Sequence, residues 1–257
     1  IFFLGNFYIF SISFSLFLSI IIYFMKSKIL IFSATYNESK NITLLLNYIE
    51  DLNLSLDILI VDDNSPDKTA DVIKEYTKNK KNIHLIVRDK KSGLDTAHKL
   101  AFEYSKKNHY EYLITIDADL THDPKKIPEF IDELKNTPFV LGSRFVEGGS
   151  LDTTGWRRSL SIFGNKFIKI VFGINSNEFT TAFRGYNLKK LEGFDLRDVK
   201  SKGYSFFMET IYLLDKRNIP IKEIPFHAKL RHKGTSKIER IEIFRTLINV
   251  LRLKFSK

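Results

Sequence analysis

The feature that most constrains this chain is a rhythm of short, nearly all-apolar runs separated by amphipathic stretches. Ile29 to Phe32, Ile58 to Val61, Ile83 to Val87 and Tyr112 to Ile116 hold almost no polar residue. Runs of this kind read as strands buried on both faces of a parallel sheet, because a strand with one wet face would alternate. Between them, apolar residues recur at helical spacing. Ile42, Leu45, Leu46 and Ile49 fall at i, i+3, i+4 and i+7; Val72, Ile73 and Tyr76 repeat the theme; Leu94, Ala97, Leu100, Ala101 and Tyr104 make a third face. The order βαβαβαβ predicts right-handed crossovers and a doubly wound α/β sheet, whose ligands sit in the crevice beyond the carboxyl ends of the strands. The chemistry should therefore follow the strands.

It does. Ala34-Thr35-Tyr36-Asn37-Glu38 follows the first run, Asp62-Asp63-Asn64-Ser65-Pro66-Asp67 the second, and Asp117-Ala118-Asp119 the fourth. In extended geometry both carboxylates of Asp117 and Asp119 can turn to one cation, and an oxygen-only set suits Mg²⁺ or Mn²⁺. The alternative is a pair of solvated acids in a turn, with Asp123 capping a helix that has Pro124 in its first turn. Asp62 and Asp63 suit hydrogen bonds from a nucleobase or ribose, or they build a turn and a helix cap, and both roles are compatible. Glu38 has the same two readings. His122, beside the D-x-D, is a further candidate for the metal or for polarity at the helix start.

Past Pro138 the rhythm changes. A strand is expected from Phe139 to Gly142, a basic helix from Trp156 to Phe172, a return segment at Thr180 to Tyr186, a helix from Phe206 to Lys216 and a run from Pro220 to Phe226. Arg144, Arg157, Arg158, Arg184, Arg231 and Lys237 lie in or near the loops of this half, and as a group facing the carboxylate crevice they read as a phosphate-handling set. The net charge of +10 agrees with an anionic partner: nucleic acid, an acidic membrane face or a phosphorylated substrate. The absence of cysteine rules out disulfides, zinc-thiolate and iron–sulfur sites and cysteine nucleophiles. P-loop, dinucleotide-binding and nucleophile-elbow motifs do not occur, which disfavours P-loop ATPases, dehydrogenases and α/β-hydrolases.

Residues 1 to 25 carry no charge. Residues 1–24 read either as a membrane anchor or as sequence upstream of a true start at Met25, since no signal-peptide layout is present and Lys26 and Lys28 lead at once into the first strand. A domain from 25 to 237 would follow, and then a basic amphipathic helix from 238 to 257, which either lies on an anionic membrane or packs on the domain.

Taken together, the clusters resemble those of the family-two glycosyltransferases of GT-A fold, and among them the dolichyl- or polyprenyl-phosphate mannosyltransferases and their glucosyl relatives. Ala34 to Glu38 is similar to the family's P-T-Y-N-E, Val61 to Asp67 to its V-D-D-x-S-x-D, and Asp117 to Leu120 to its metal motif. Gly142-Ser143-Arg144 with Gly148-Gly149 resembles G-S-R-x-x-x-G-G. Trp156, Arg157, Ser161 and Asn165 resemble the basic acceptor helix, and Thr180 to Arg184 resembles T-S-G-F-R. Gly203 to Phe206 with Glu209, and Arg231, Gly234, Ser236 with Lys237, complete the series.

The resemblance implies a GT-A, Rossmann-like, mostly parallel sheet flanked by helices in a single domain. It implies that Ala34, Tyr36, Glu38, Asp62, Asp63, Ala118 and Lys237 bind a nucleotide-sugar donor, GDP-mannose or UDP-glucose. Asp117 and Asp119 would hold Mg²⁺ or Mn²⁺, with Thr121 standing where a metal-contacting Gln is frequent. Arg144, Arg157 and Ser161 would receive the acceptor phosphate, and Arg144 and Arg231 would serve catalysis with the two aspartates. Asp95, Glu178 and Ala182 depart from the family pattern. The implied reaction is inverting hexosyl transfer, of mannose first, to polyprenyl or dolichyl phosphate at the cytoplasmic face of a membrane, with no nucleic-acid partner. The rivals are a family-two enzyme with a saccharide acceptor, which would need a catalytic base, and a non-catalytic polyanion binder, which would not gather acids at strand ends.

Overall fold

The computed structural model describes residues 29–233 and 240–255, with the side chains of 240–244 left aside. Residues 1–24, the start at Met25, and Gly234, Ser236 and Lys237 lie outside the described residues.

The first half alternates as its apolar runs require: β1 (Ile29–Thr35), α1 (Ile42–Glu50), β2 (Asp57–Asp62), α2 (Thr69–Thr77), β3 (Ile83–Val87), α3 (Leu94–Lys107), β4 (Tyr112–Thr115) and α4 (Ile127–Asn136). The second half is β5 (Phe139–Ser143), β6 (Ser150–Leu151), α5 (Gly155–Phe172), β7 (Arg184–Asn187), α6 (Tyr204–Lys216), β8 (Ile221–Pro225), β9 (His227–Ala228) and α7 (Arg240–Phe255). Seven strands form one sheet in the order β3-β2-β1-β4-β7-β5-β8. Only β7 runs against the rest, pairing antiparallel with β4 and β5. The chain winds outward from β1 to β3 and then returns to place β4 on the other side of β1, so a topological switch point opens between the ends of β1 and β4. A separate two-stranded sheet, β6 with β9, pins the loop after β5 to the chain leaving β8.

One layer of core lies on each face of the sheet. Leu30, Phe32 and Leu59 pack with α3 and α6 residues on one side; Ile31, Ile58 and Ile60 pack with α1 and α4 residues on the other. Helix α1 buries Ile42, Leu45, Leu46 and Ile49, the stripe its spacing predicts. In α3 the buried stripe is rotated: Ala97 and Ala101 are shared with the expectation, but His98 and Phe102 are buried beside them while Leu94, Leu100 and Tyr104 are only partly covered. Strand β3 is half-exposed, because it is the sheet edge and has one strand neighbour, not two. The expectation of burial on both faces holds for β1, β2 and β4 and not for β3.

Candidate active site

Each strand-end cluster turns sharply, and at each turn one residue adopts the left-handed conformation: Asn37 (φ 59°), Asn64 (φ 53°) and Leu120 (φ 66°). Asn tolerates this region, whereas a buried Leu pays a steric cost of about 1–2 kcal/mol, a strain of the sort found at functional turns.

The clusters meet at the switch point. Arg231 joins two of them: one guanidinium nitrogen donates to Glu38 at 2.9 Å and another pairs with Asp119 at 2.8 Å. The segment carrying it crosses the aspartate turn, with the His232 N–H donating to the Asp119 carbonyl at 3.1 Å and the Lys229 N–H to that of Thr121 at 3.2 Å. Asn41 closes the other side, donating to Glu38 at 2.8 Å and to the Lys233 carbonyl at 3.1 Å.

Asp117 keeps 38% of its side-chain surface, and its carboxyl is pushed up to about 7 by burial of its inner side and by the negative Asp119 beside it. The Asp119 contribution is one that a bound cation would reverse. Behind it stands His122, stacked on Phe183 with centroids 5.1 Å apart. Its Nδ1 accepts the Asp117 backbone N–H at 3.1 Å, and burial lowers its pKa to about 4, so the ring is neutral with its proton on Nε2. His122 thus anchors the aspartate turn, its Nε2 standing 3.7 Å from an Asp117 carboxylate oxygen, while Asp123 caps the helical turn that follows.

Several expected site residues have other occupations. Asp62 is fully buried and accepts from Thr35 (2.7 Å) and from the Ser65 hydroxyl and N–H (2.6 and 2.9 Å), so it holds the first two clusters together rather than facing a ligand. Asp63 pairs with Arg88 and accepts the Ser92 and Gly93 N–H groups, each at 3.1 Å. Thr121 turns its hydroxyl onto Asp119 at 2.7 Å, bracing that carboxylate instead of extending the metal set. Arg184 does not face the crevice at all. It is fully buried, donates to the carbonyls of Thr181 and Phe207 at 2.8 Å each, and lies 4.7 Å over the Phe207 ring.

Arg144 is held in a bidentate pair by Glu178, both contacts at 2.7 Å, with Thr180 at 2.9 Å. Burial would raise the Glu178 carboxyl, but the guanidinium overrides it and holds the group below the ordinary carboxylate range. Glu178 is itself placed by Glu223 of β8, which accepts the N–H groups of Asn177 and Glu178 at 3.0 Å each. Arg157 and Ser161 lie on α5, with Arg157 exposed and 5.6 Å over the Trp156 ring. Ala34, in β1, and Tyr36, just past its end, are half-buried, Lys91 stands 4.3 Å over the Tyr36 ring, and Ala118 is buried between the aspartates. Asp95 accepts the Gly203 N–H at 3.1 Å, tying α3 to the start of α6.

Arg88 was findable: it follows β3 as the other clusters follow their strands, and the same rule extended to the third run reaches it. Glu223 carries no local signal, since its partners come from distant chain, and the same holds for the Asn41 contact with Lys233.

Chemically, the crevice offers the neighbouring carboxylates of Asp117 and Asp119, suited to a hard divalent ion, and a guanidinium that bridges Asp119 to Glu38. Among the described residues no third His, Cys, Asp or Glu completes a protein cage, a layout Mg²⁺ accepts when water and phosphate oxygens supply the rest.

A mostly parallel sheet with acid-bearing loops at its switch point and a basic second half is the GT-A architecture. Residues 31–194 match Glycosyl transferase family 2, and the chain belongs to that family. It is 30% identical over 228 residues to an undecaprenyl-phosphate mannosyltransferase from Micrococcus luteus, covering 88% of this chain and 93% of that protein. It is 30% identical over 224 residues to a polyprenol monophosphomannose synthase from Mycolicibacterium smegmatis, covering 86% and 84%. A solved structure of glucosyl-3-phosphoglycerate synthase from Mycobacterium tuberculosis, in complex with Mg²⁺ and uridine diphosphate, shares the fold. Its TM-score is 0.63 at 12% identity, over 88% of this chain and 79% of that one.

Proposed function

We propose that this glycosyltransferase moves a hexose, mannose, from a nucleoside-diphosphate sugar to the phosphate of a polyprenyl carrier, inverting the anomeric carbon with the aid of a divalent ion. The observation that carries the reading is the convergence of Glu38, Asp117 and Asp119 with the Arg231 guanidinium at the β1–β4 switch point. The names of the two curated relatives support the choice of sugar and acceptor.

Asp117 and Asp119 would hold Mg²⁺ or Mn²⁺, which when bound neutralises charge on the donor's diphosphate. Tyr36, Ala34, Asp63 and Ala118 would wall the nucleotide; the donor role that the resemblance implies for Lys237 falls outside the described residues. A phosphate monoester has a second pKa near 6, so the acceptor is largely dianionic at neutral pH and attacks without a general base. Its oxygen forms a bond to the anomeric carbon as the bond from that carbon to the diphosphate breaks, and the nucleoside diphosphate departs. The chain's work is electrostatic: unit charges about 4 Å apart repel by roughly 4 kcal/mol at an effective dielectric of about 20. Arg231 turning from Asp119 to the diphosphate, and Arg144 and Arg157 receiving the acceptor phosphate, would offset that repulsion.

The test is incubation of radiolabelled GDP-mannose and UDP-glucose with polyprenyl phosphate and Mn²⁺, followed by organic extraction. Label from GDP-mannose should pass to the organic phase. Label that appears only on water-soluble saccharide would refute the lipid acceptor.

A further inference from the structure

Helix α5 has little to hold it in place. No residue from Gly155 to Gly164 is buried, and in the whole helix only Asn165 and Ile168 are. Arg157 and Ser161 therefore project from a stretch without apolar anchorage, eight and four residues before Asn165 and on its side of the helix. Apolar contact such as that of Ile168 is non-directional and does not fix how far a helix slides along its axis. A buried hydrogen bond does, because its length and angle tolerate little displacement.

Asn165 makes that bond. Its Oδ1 accepts the Phe179 N–H at 2.8 Å, while its Nδ2 donates to the Ser161 carbonyl at 2.8 Å and so locks the side chain in one rotamer. Phe179 is fully buried and adjoins Glu178, the partner of Arg144. Two arms of the site, the loop after β5 and helix α5, are thus fastened to consecutive residues of one strap. The strap is itself fixed: Glu223 accepts the N–H groups of Asn177 and Glu178, and buried Arg184 donates to the Phe179 carbonyl at 3.3 Å. Lys169 adds a looser tie from α5, donating to the Asn177 side chain at 2.7 Å through a long, flexible stem.

We propose that Asn165 is a positioning residue: by accepting the Phe179 N–H it sets the axial position of α5, and with it the spacing between Arg144 and the Arg157 and Ser161 side chains. This rests on the proposed function, which assigns those three residues to the acceptor phosphate; the gauge of their spacing is a buried amide behind them. Misplacing reacting groups by about 1 Å costs up to about a hundredfold in rate, and one residue of helical rise is already roughly 1.5 Å.

The chain has no cysteine, so spin labels go only where they are put. Labels on Phe163→Cys, exposed on α5, and Asp132→Cys, exposed on α4, give the helix position as a dipolar distance in the full chain without substrates. Asn165→Leu, similar in volume and unable to accept, should shift or broaden that distance, and Asn165→Asp, which keeps an oxygen for the Phe179 N–H, should retain the parent's. In the transfer assay Asn165→Leu should raise the KM for polyprenyl phosphate about tenfold, the factor that roughly 1.4 kcal/mol represents, and leave the KM for nucleotide sugar near the parent's. Joined to Arg157→Ala, its effect should fall short of the product of the two single effects, because a misplaced helix loses less once the group it carries is gone.

An unchanged distance in Asn165→Leu, equal rises in both KM values, or fully multiplicative effects with Arg157→Ala would overturn the proposal. Should Asn165→Leu not fold, hydrogen exchange on the parent decides: a Phe179 amide as slow as those of the β1 core supports the bond as gauge, and a fast one overturns it. The distance measurement holds neither substrate, so its outcome is independent of the acceptor assay; a helix that shifts in Asn165→Leu while the parent leaves polyprenyl phosphate unglycosylated would sink the proposed function alone.

Discussion

At the scale of single residues, the site is an arrangement of compensated charges, and its substitutions should show which charge compensates which. Arg231 bridges Glu38 and Asp119 at 2.9 and 2.8 Å, in the space between carboxylates where a divalent ion would act. Arg231→Ala should therefore tighten Mn²⁺ binding to the donor-free protein while lowering turnover, a divergence visible by calorimetry beside a transfer assay. Asp119→Ala should abolish metal-dependent transfer; near-normal turnover in chelator would sink the assignment. Glu178→Gln leaves the Arg144 guanidinium without its buried counter-charge, and breaking such a pair costs about 3–5 kcal/mol. Denaturant unfolding should register that loss, and the KM for acceptor should rise more than kcat falls. Sequence could nominate Asp119, Arg144 and Arg231 because motif spacing is local. It could not show that Asp62 is spent on Thr35 and Ser65, that Thr121 braces Asp119, or that Arg184 is in the core, because those outcomes depend on chain brought from elsewhere.

Among the elements, the loops after β1, β4 and β5 do most to aim the site. Gly149 lies flush against the loop that carries Arg144: a Cβ there would sit 2.6 Å from the Ser143 carbonyl oxygen and 2.9 Å from the Arg144 carbonyl carbon, both backbone. Gly149→Ala must displace that loop. It should cost about 1–3 kcal/mol of stability, as overpacking does, and reduce acceptor-dependent turnover more than donor binding, measured by parallel kinetics and nucleotide titration. Strands β1, β2 and β4 were legible because burial on two faces demands apolar runs. The antiparallel β7 was legible only as a return segment, since the direction of a four-residue strand has no local signature. The β6–β9 pair, two residues long on each side, left no pattern to read.

For the molecule as a whole, one contribution to the pH dependence of folding comes from a histidine in its middle. His98 is buried between Phe32 and Phe207, each ring 5.0 Å away, and burial, with Arg184 near, lowers its pKa to about 3 from 6.5. Between those values the unfolded chain takes the proton and the folded chain does not, so the contribution of His98 to stability falls as pH drops from 6.5 toward 3, by at most about 1.4 kcal/mol per pH unit, while the raised Asp117 carboxyl acts in the opposite sense. His98→Leu should flatten that slope relative to the parent in denaturant titrations across the window; identical slopes would contradict the buried neutral ring. The sequence by itself determined the α/β class, the strand ends as the place of chemistry, and the residue types available there, because apolar periodicity and motif spacing are written along the chain. Only the tertiary structure decided which carboxylates are free and which are consumed, which arginines face the crevice, and which helix faces stay uncovered. Those are properties of neighbours far apart in sequence, and electrostatic compensation and burial exist only once they have met.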